Sequence, residues 1–502
     1  MDPATLLFLS SFLLGLVFCI LCLLDRDQEC GPKTIPTVGG SSLPLLSYAG
    51  AFRHVFYAAD ILHEGYRRYK GGTFKFADFR RWYIIVCEPH LIEEIIKAPD
   101  DQLSFDEAVH EILQTDYTLG YALHHNLYHV PIVRSQLTRN IAKFFPLLHD
   151  ELVASFHDEI PLNGSGWNKV RAMDAMVQVI CRTSNRVFVG LPLCRNLDYC
   201  NLNKQFTVDV MKGGTIISLF PGLLKPFAAR FLTDVPNSIK RGVKHLEPLI
   251  SERLRMEQEL GSEWTDKPND MLQWLLDAAE GEERTVRALV LRILTINVGA
   301  IHTSAMCLTH AVYYLAAYPQ YVQALREEVE AVVQQEGWTK AAMGKMHKLD
   351  SFFKEVQRLN GIVARGLDRK AMKDFRFSDG TFVPAGTYIA APAVAMHHDE
   401  DVYPDAHTFN PWRFSDSCNE RDDFQRQHTI TTSPYFLLFG HGKHACPGRF
   451  FAVNELKAML AHMVVSYDMK MDQEGEVPAS KWIANALIPH PTAEVEFRRR
   501  VD

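Results

Sequence analysis

The sequence predicts a mainly helical globule with small β-sheets, carried behind an N-terminal transmembrane helix. Three features predict it: an uncharged run from Ala4 to Leu24, a long helical pattern from Thr285 to Ala317, and short β-rich runs near residues 74–87 and 375–392.

The N-terminal run has 21 residues without a charge and is ended by Asp25-Arg26-Asp27. As a helix it spans roughly 30 Å of hydrocarbon. No Lys or Arg precedes it and no small-residue cleavage site follows, which favours a retained anchor over a cleaved signal peptide. Arg26 and Lys33 then place the body of the protein on the cytosolic side. Pro and Gly crowd the next stretch, Cys30 to Gly40, and prevent the helix from continuing. The chain therefore divides into an anchor (1–24), a stiff connector (25–45) and one large unit (46–502), with no repeat, low-complexity tract or long linker inside it.

Within that unit, Phe74–Phe79 and Trp82–Cys87 read as paired strands joined by a turn. Ala175–Val189 reads as a buried helix. The Thr285–Ala317 pattern is closed by Pro319. Its middle, Ile293 to Met306, is nearly apolar all round, which marks a central buried helix. Tyr321–Gln335 and Ser351–Asn360 continue the helical pattern, and strands return at Phe375–Pro384 and Thr387–Pro392. Thr215–Phe231 is apolar and broken by Pro221 and Pro226. It reads either as a core corner or as a loop that dips into a membrane.

Of 502 residues, 47% are hydrophobic and 23% charged, which suits a large core. The net charge is −7 with no strongly basic segment, so nucleic-acid binding has no electrostatic support. Ten irregularly spaced cysteines imply no disulfide framework. Cys19 and Cys22 form a C-x-x-C inside the apolar run, where a redox or zinc role is implausible. Asn163-Gly-Ser is a glycosylation sequon that would face the cytosol and stay silent. His124-His125 and His397-His398 hint at a metal but specify no third ligand, and read as loop residues.

Cys446 carries the chemistry. It lies in Phe439-Gly-His-Gly-Lys-His-Ala-Cys446-Pro-Gly448. Gly440 and Gly442 permit tight turns before it. Pro447 suits the first turn of a helix, and Phe450–Val465 supplies an amphipathic one. Cys446 would then sit at a helix N-terminus, where the dipole and free amides stabilise a thiolate. A thiolate is an axial donor for haem iron, because its electron push favours O–O cleavage. Two other readings stand beside this one. Cys446 could be an inert buried cysteine, or His441, His444 and Cys446 could hold zinc, although no matching fourth donor is nearby.

This run resembles the haem-binding signature of the cytochrome P450 family, with the aromatic, both glycines, the cysteine and the final glycine at the family's spacing. The departure is His444, where most members carry Arg; a His can still donate to a haem propionate. Three further matches extend the resemblance across nearly the whole chain. Glu355-Val-Gln-Arg358 puts both charges on one helix face. Phe409-Asn-Pro-Trp-Arg413-Phe414 resembles the segment whose Arg completes a buried Glu–Arg–Arg network, here Glu355, Arg358 and Arg413. Gly299-Ala-Ile-His302-Thr303-Ser304 resembles the oxygen-activation motif, with His302 in place of its usual acid.

The resemblance implies a cytochrome P450 fold holding haem b. Cys446 would be its metal ligand, with Phe439, Gly440, His444 and Gly448 shaping the cofactor site. Thr303 would hydrogen-bond the oxygen being activated, and His302 would either relay protons or leave that to water. Arg369 falls where the family places a propionate partner; Arg134 is a second candidate, with Arg139 as its rival. A Trp usual in the family one turn before such an Arg is replaced by Val130, beside His129. Substrate walls are implied in Leu103–Leu123, Thr215–Leu224, Val298–Thr303, Ile362–Gly366 and Ala484–Leu487.

The implied reaction inserts one oxygen atom from O₂ into an apolar small molecule. Electrons would come from NADPH through NADPH-cytochrome P450 reductase, with cytochrome b5 as a further partner, at the endoplasmic reticulum membrane. The chain itself has no flavin or nicotinamide fingerprint. The stretch Gly442–Ala452 and His302 look similar to fungal microsomal members that oxidise terpenoids, with steroids and polycyclic compounds as related substrates. The rival functions are a haem-thiolate isomerase or dehydratase that needs no reductase, and a non-catalytic haem-binding sensor.

Overall fold

A computed structural model describes residues 34–500, apart from 44, 163–165 and 417–426. The proposed anchor, Cys19 and Cys22, residues 25–33 of the connector and the sequon lie outside the described residues.

Helices dominate, as the sequence predicts, and the β-structure is confined to small sheets. The core has two parts, one helical and one built on the sheets. The axis of the helical part is Val286–Ala317, 32 residues long. Thr285 caps it, its side-chain oxygen accepting the Ala288 N–H at 3.3 Å. Tyr318 and Pro319 end it. Among the described residues it is the one helix long and apolar enough to cross a membrane, yet most of it is enclosed by protein.

Two helices flank this axis. Ala172–Phe188 is tied to it through Asn185, whose amide donates to Asn297 Oδ1 at 2.8 Å. Val235–Leu260 approaches closely at Gly242, where a Cβ would meet Leu294 Cδ1 at 2.9 Å. The central helix is not buried all round, which corrects the sequence reading. Gly299 and Thr303 are open, because this face borders a cavity.

The largest sheet has five strands in the order Thr73–Ala77, Trp82–Val86, Tyr388–Ala391, Gly366–Ala371, Leu103–Ser104. The first pair is the predicted hairpin, with Phe74 opposite Ile85 and Phe76 opposite Tyr83. Tyr388–Ala391 joins it in parallel. A second sheet brings Asn168–Arg171 beside Glu494–Arg499 and Tyr467–Lys470. Asn168–Arg171 was not predicted, since it is short and polar.

The helix after the cysteine, Arg449–Ser466, also departs from the expected pattern. It is buried on nearly every side instead of amphipathic. Its charges are sequestered in the core: Lys457 Nζ meets Asp350 Oδ1 at 3.0 Å, and Glu455 accepts from Ser184 at 2.9 Å. A paired charge can be buried, so its presence in the sequence did not mark an exposed face.

The apolar stretch 215–231 is in part a core corner, and the remainder of its apolar side chains are exposed. Ile217, Ala228 and Ala229 make a small core of their own. Around it Leu219, Leu223 (92% exposed), Phe227 and Phe231 face outward.

The contact between the helix Ser47–Arg68 and the first hairpin yields a test. A Cβ on Gly65 would lie 2.3 Å from the buried Phe74 ring. Replacing glycine by alanine inside a helix normally gains up to about 1 kcal/mol. Overpacking a core contact costs about 1–3 kcal/mol. Gly65→Ala should therefore lower the thermal unfolding midpoint, measured by circular dichroism of the full-length protein. An unchanged or raised midpoint would mean the contact can open at no cost.

Candidate functional site

The loop around Cys446 lies at the seam between the two cores. Along the extended run before it, Phe436 and Leu438 join the helical core while Leu437 joins the sheet core. Gly440 (φ +66°) and Gly442 (φ +75°) then turn the chain. Gly442 is also confined by packing, since a Cβ there would meet Ile96 Cγ2 at 2.1 Å. The turns close on backbone bonds: Gly440 N–H to Leu437 O at 3.0 Å, Ala445 N–H to Gly442 O at 3.1 Å, and Cys446 N–H to Phe439 O at 2.8 Å.

The helix begins later than predicted. Gly448 is its N-cap and Arg449 its first residue, so Pro447 precedes the first turn. The balance at the sulfur runs against the expected thiolate stabilisation, because burial outweighs the amides. Burial pushes the Cys446 thiol up, while the Gly448 and Arg449 amides and the Arg449 guanidinium act against it. Arg449 Nη1 also donates to Cys446 O at 3.0 Å.

Cys446 opens onto an apolar cavity of about 330 Å³. Phe439, Pro447 and Gly448 also line it, and the central helix contributes Gly299, Ala300 and Thr303. Thr303 Oγ1 donates to Gly299 O at 2.7 Å. Gly299 has nothing within 4 Å of where its Cβ would sit, so the helix leaves open space there. His302 does not line this cavity. Its Nε2–H donates to Lys204 O, at 2.8 Å, on the helix Leu197–Ser218, and burial lowers its pKa.

Of the implied substrate walls, the cavity takes residues 299, 300 and 303 and Ile362. Leu103–Leu123, Thr215–Leu224 and Ala484–Leu487 do not line it. Val130, Val133, Leu137, Phe188 and Phe451 do, and the sequence reading did not select them. Each is one apolar residue among many, with no spacing to set it apart.

Glu355, Arg358 and Arg413 come together. Arg358 Nε meets Glu355 at 2.8 Å and Arg413 Nε meets it at 3.0 Å, with Glu355 and Arg358 fully buried. The remaining guanidinium groups bind carbonyls, Arg358 Nη1 reaching His397 O and Ala406 O, each at 2.7 Å. His397 carries the connection onward. It ends the short helix Ala393–His397 and does not lie in a loop. Its Nε2 accepts the Leu437 N–H at 2.9 Å. Burial holds its pKa down at about 3, which keeps the ring neutral and the acceptor available.

The candidate anion partners differ in their state. Arg369 is buried, with Nη1 donating to Asp368 O at 2.9 Å. Its Nε and Nη2 have no hydrogen-bond partner. Unpaired buried donors of this kind are costly unless a ligand satisfies them. Arg134 is exposed and donates to Lys443 O at 3.1 Å. Arg139 is also exposed. His444 is engaged elsewhere: Nε2 meets Asp100 Oδ1 at 2.7 Å, leaving only Nδ1 for another partner.

His129 lines the cavity and was overlooked except as a neighbour of Val130. Its Nδ1 accepts from Arg292 Nη1 at 2.9 Å. This leaves the ring proton on Nε2. Burial first, then Arg292, lowers its pKa to about 4.

An apolar cavity with the cysteine among its lining residues, and a buried arginine elsewhere in the fold with two unpaired nitrogens, suit an apolar cofactor that carries acidic groups. Comparison with known proteins agrees. Residues 39–497 match the cytochrome P450 family. The chain is 45% identical to cytochrome P450 monooxygenase 151 of Postia placenta, over 93% of this chain and 94% of that protein. It is 43% identical to cytochrome P450 monooxygenase 103 of the same fungus, over 100% and 99%. It is 31% identical to ent-kaurene oxidase P450-4 of Gibberella fujikuroi, over 93% and 92%. With a thiol and a threonine facing one apolar cavity, and with relatives of this similarity along nearly its full length, the chain belongs to the cytochrome P450 family of monooxygenases.

Proposed function

We propose that this monooxygenase holds haem b through Cys446 Sγ and inserts one oxygen atom from O₂ into an apolar substrate carried beside Thr303. The observation that supports this reading is that Cys446 and Thr303 both line one apolar cavity. Family membership implies haem iron; thiolate-bound haem supplies the O–O cleavage chemistry. The balance is R–H + O₂ + 2e⁻ + 2H⁺ → R–OH + H₂O, with electrons from NADPH through a membrane-bound reductase and cytochrome b5 as a further donor.

The protein's own groups divide the remaining work. The Gly448 and Arg449 amides favour the thiolate. Phe439 and Pro447 keep water from the sulfur. Arg369 Nε and Nη2 pair with a propionate, and His129 Nε2–H offers a second donor. Arg134 and His444 hold the cysteine loop from outside, through Lys443 and Asp100. Glu355, Arg358 and Arg413 fix its distance from the helical core.

Thr303 manages the proton. Its hydroxyl hydrogen is parked on Gly299 O while its lone pairs face the cavity. It can accept a proton from water there as its own is released. His302 points to the opposite side of the helix and acts as a packing contact, so water is the proton source.

The substrate is apolar because the cavity is; a terpenoid, steroid or polycyclic compound suits it. The relative named for ent-kaurene oxidation supports the terpenoid class. The exposed apolar rim at Leu219, Leu223, Phe227 and Phe231, with Leu45 and Phe52 near the start of the described chain, supports membrane contact beside the anchor. Arg80, at the tip of the first hairpin, donates to Phe220 O at 3.1 Å and connects the two regions. The exposed rim supports the reading of a protein at the endoplasmic reticulum membrane with its catalytic unit in the cytosol.

Three measurements test the reading. Reduced protein with carbon monoxide should show the absorption of thiolate-ligated haem, and Cys446→His should replace it with that of histidine ligation; unchanged haem binding in Cys446→Ala would sink the assignment. Thr303→Ala should keep that spectrum and still consume NADPH with reductase present. Hydroxylated product per NADPH should fall by roughly 10- to 100-fold, and full coupling in the variant would remove Thr303 from proton handling. Removing the rim side chains together (Leu223→Ser, Phe227→Ser, Phe231→Ser) should weaken binding to phosphatidylcholine vesicles in protein lacking residues 1–24; equal binding would show that this rim stays in water.

A further inference from the structure

We infer that His110, Asp116 and His124 form a binding site for a divalent transition metal of the zinc type, separate from the haem cavity. The residues sit on three successive short elements: the helix Phe105–Leu113, the turn Asp116–Gly120 and the helix Tyr121–His125. One candidate ligand atom from each lies within 4.8 Å of the others. This supplies the third ligand that His124-His125 lacked in the sequence.

The hydrogen bonding points to a missing cation. His124 Nε2 lies 3.2 Å from Glu107 Oε1, so Nε2 carries the proton and donates it. The other nitrogen, Nδ1, is then a lone pair. It is buried without a hydrogen-bond partner, and so is Asp116 Oδ1, 4.0 Å away. With the ring neutral, these two acceptors face each other across that gap and call for a positive charge between them, which a metal ion would supply in place of a second ring proton. His110 Nδ1 reaches the same Asp116 oxygen at 3.7 Å, and the Thr115 hydroxyl at 2.6 Å. The two imidazoles are stacked at 3.9 Å with planes 9° apart, so they approach Asp116 as a parallel pair.

Zinc takes nitrogen and oxygen ligands at about 2.0–2.2 Å, which puts tetrahedral donors about 3.4 Å apart. The observed 3.7 and 4.0 Å separations exceed that, so binding requires the side chains to rotate and the two stacked rings to tilt apart until their lone pairs converge on one ion. Glu107 completes a carboxylate–histidine–metal arrangement that orients the ring. Glu107 and Asp116 together balance a divalent charge. A polar pocket bordered by His110 and Asp116 gives an ion access and leaves a position for water. Bound there, the metal would staple three short elements whose own hydrogen bonding is slight.

The test uses the full-length, haem-loaded protein in detergent and Zn²⁺ alone as probe, titrated against a chromophoric chelator. One equivalent should bind with a dissociation constant below about 1 μM. His124→Gln and Asp116→Asn should each weaken it by more than the roughly 10- to 100-fold typical of losing an outer partner, and Glu107→Gln should fall within that range. His407→Gln, at the separate imidazole group formed with His398, should leave it unchanged. The carbon monoxide spectrum reports that each variant is folded. If Asp116→Asn loses haem, His124→Gln alone decides. No equivalent of this affinity, or equal binding in His124→Gln, overturns the site.

Discussion

Everything at the cavity depends on where the backbone of Cys446 is held. A chain of contacts fixes it from the centre of the helical core outward. Glu355 binds Arg358, Arg358 binds the His397 carbonyl, the His397 ring accepts from Leu437, and Leu437 begins the turns that end at Cys446. Each step is a short polar contact in a region without solvent to compete. Such contacts are strong when every member is satisfied and costly when one is missing.

This explains why charge is tolerated so deep in the fold. An isolated Glu355 carboxylate would be expelled or protonated. With two guanidinium groups and the Asn410 N–H at 3.1 Å, its oxygens are fully used. Arginine suits the role better than lysine because its planar fork serves the carboxylate and several carbonyls at once. Arg413 uses this fully, binding Glu355 on one edge and Pro404, Asp405 and Thr408 carbonyls on the other. The network is thus a geometric clamp between three segments distant in sequence, and a hydrophobic cluster could not set such fixed distances.

How much of this was legible follows from the kind of signal each residue gives. The central helix, the first hairpin and the cysteine turns are local events, marked by a cap, a proline, an alternation or a glycine. Glu355, Arg358 and Arg413 could be paired because family spacing made up for the 55-residue separation between the first helix pair and its third member. His397 could not be found this way. Its function rests on neutral burial and on an acceptor atom facing one amide, and neither property shows in a His-His pair. The buried charges of Arg449–Ser466 misled for a related reason: Lys457 looks solvated until Asp350 is placed beside it. Arg369 and His444 illustrate the same limit. Both are nitrogen donors that the sequence offers to a propionate, but Asp100 engages one while two nitrogens of the other remain without a partner.

The central helix shows why His302 stands where an acid is expected. Successive helical residues are turned about 100° apart, and of this pair only Thr303 lines the cavity. His302 is directed at the neighbouring helix, where it meets the Lys204 carbonyl. A carboxylate in that position would oppose one acceptor with another. An imidazole instead presents an N–H and links the two helices at a point where the central helix, loosened by Gly299, has few cavity-side contacts of its own. Burial keeps that imidazole uncharged, so it holds the helix without adding a charge near the cavity. The substitution therefore exchanges an acid for a hydrogen-bond donor that this helix pairing requires, and the neighbouring threonine keeps the cavity face to itself.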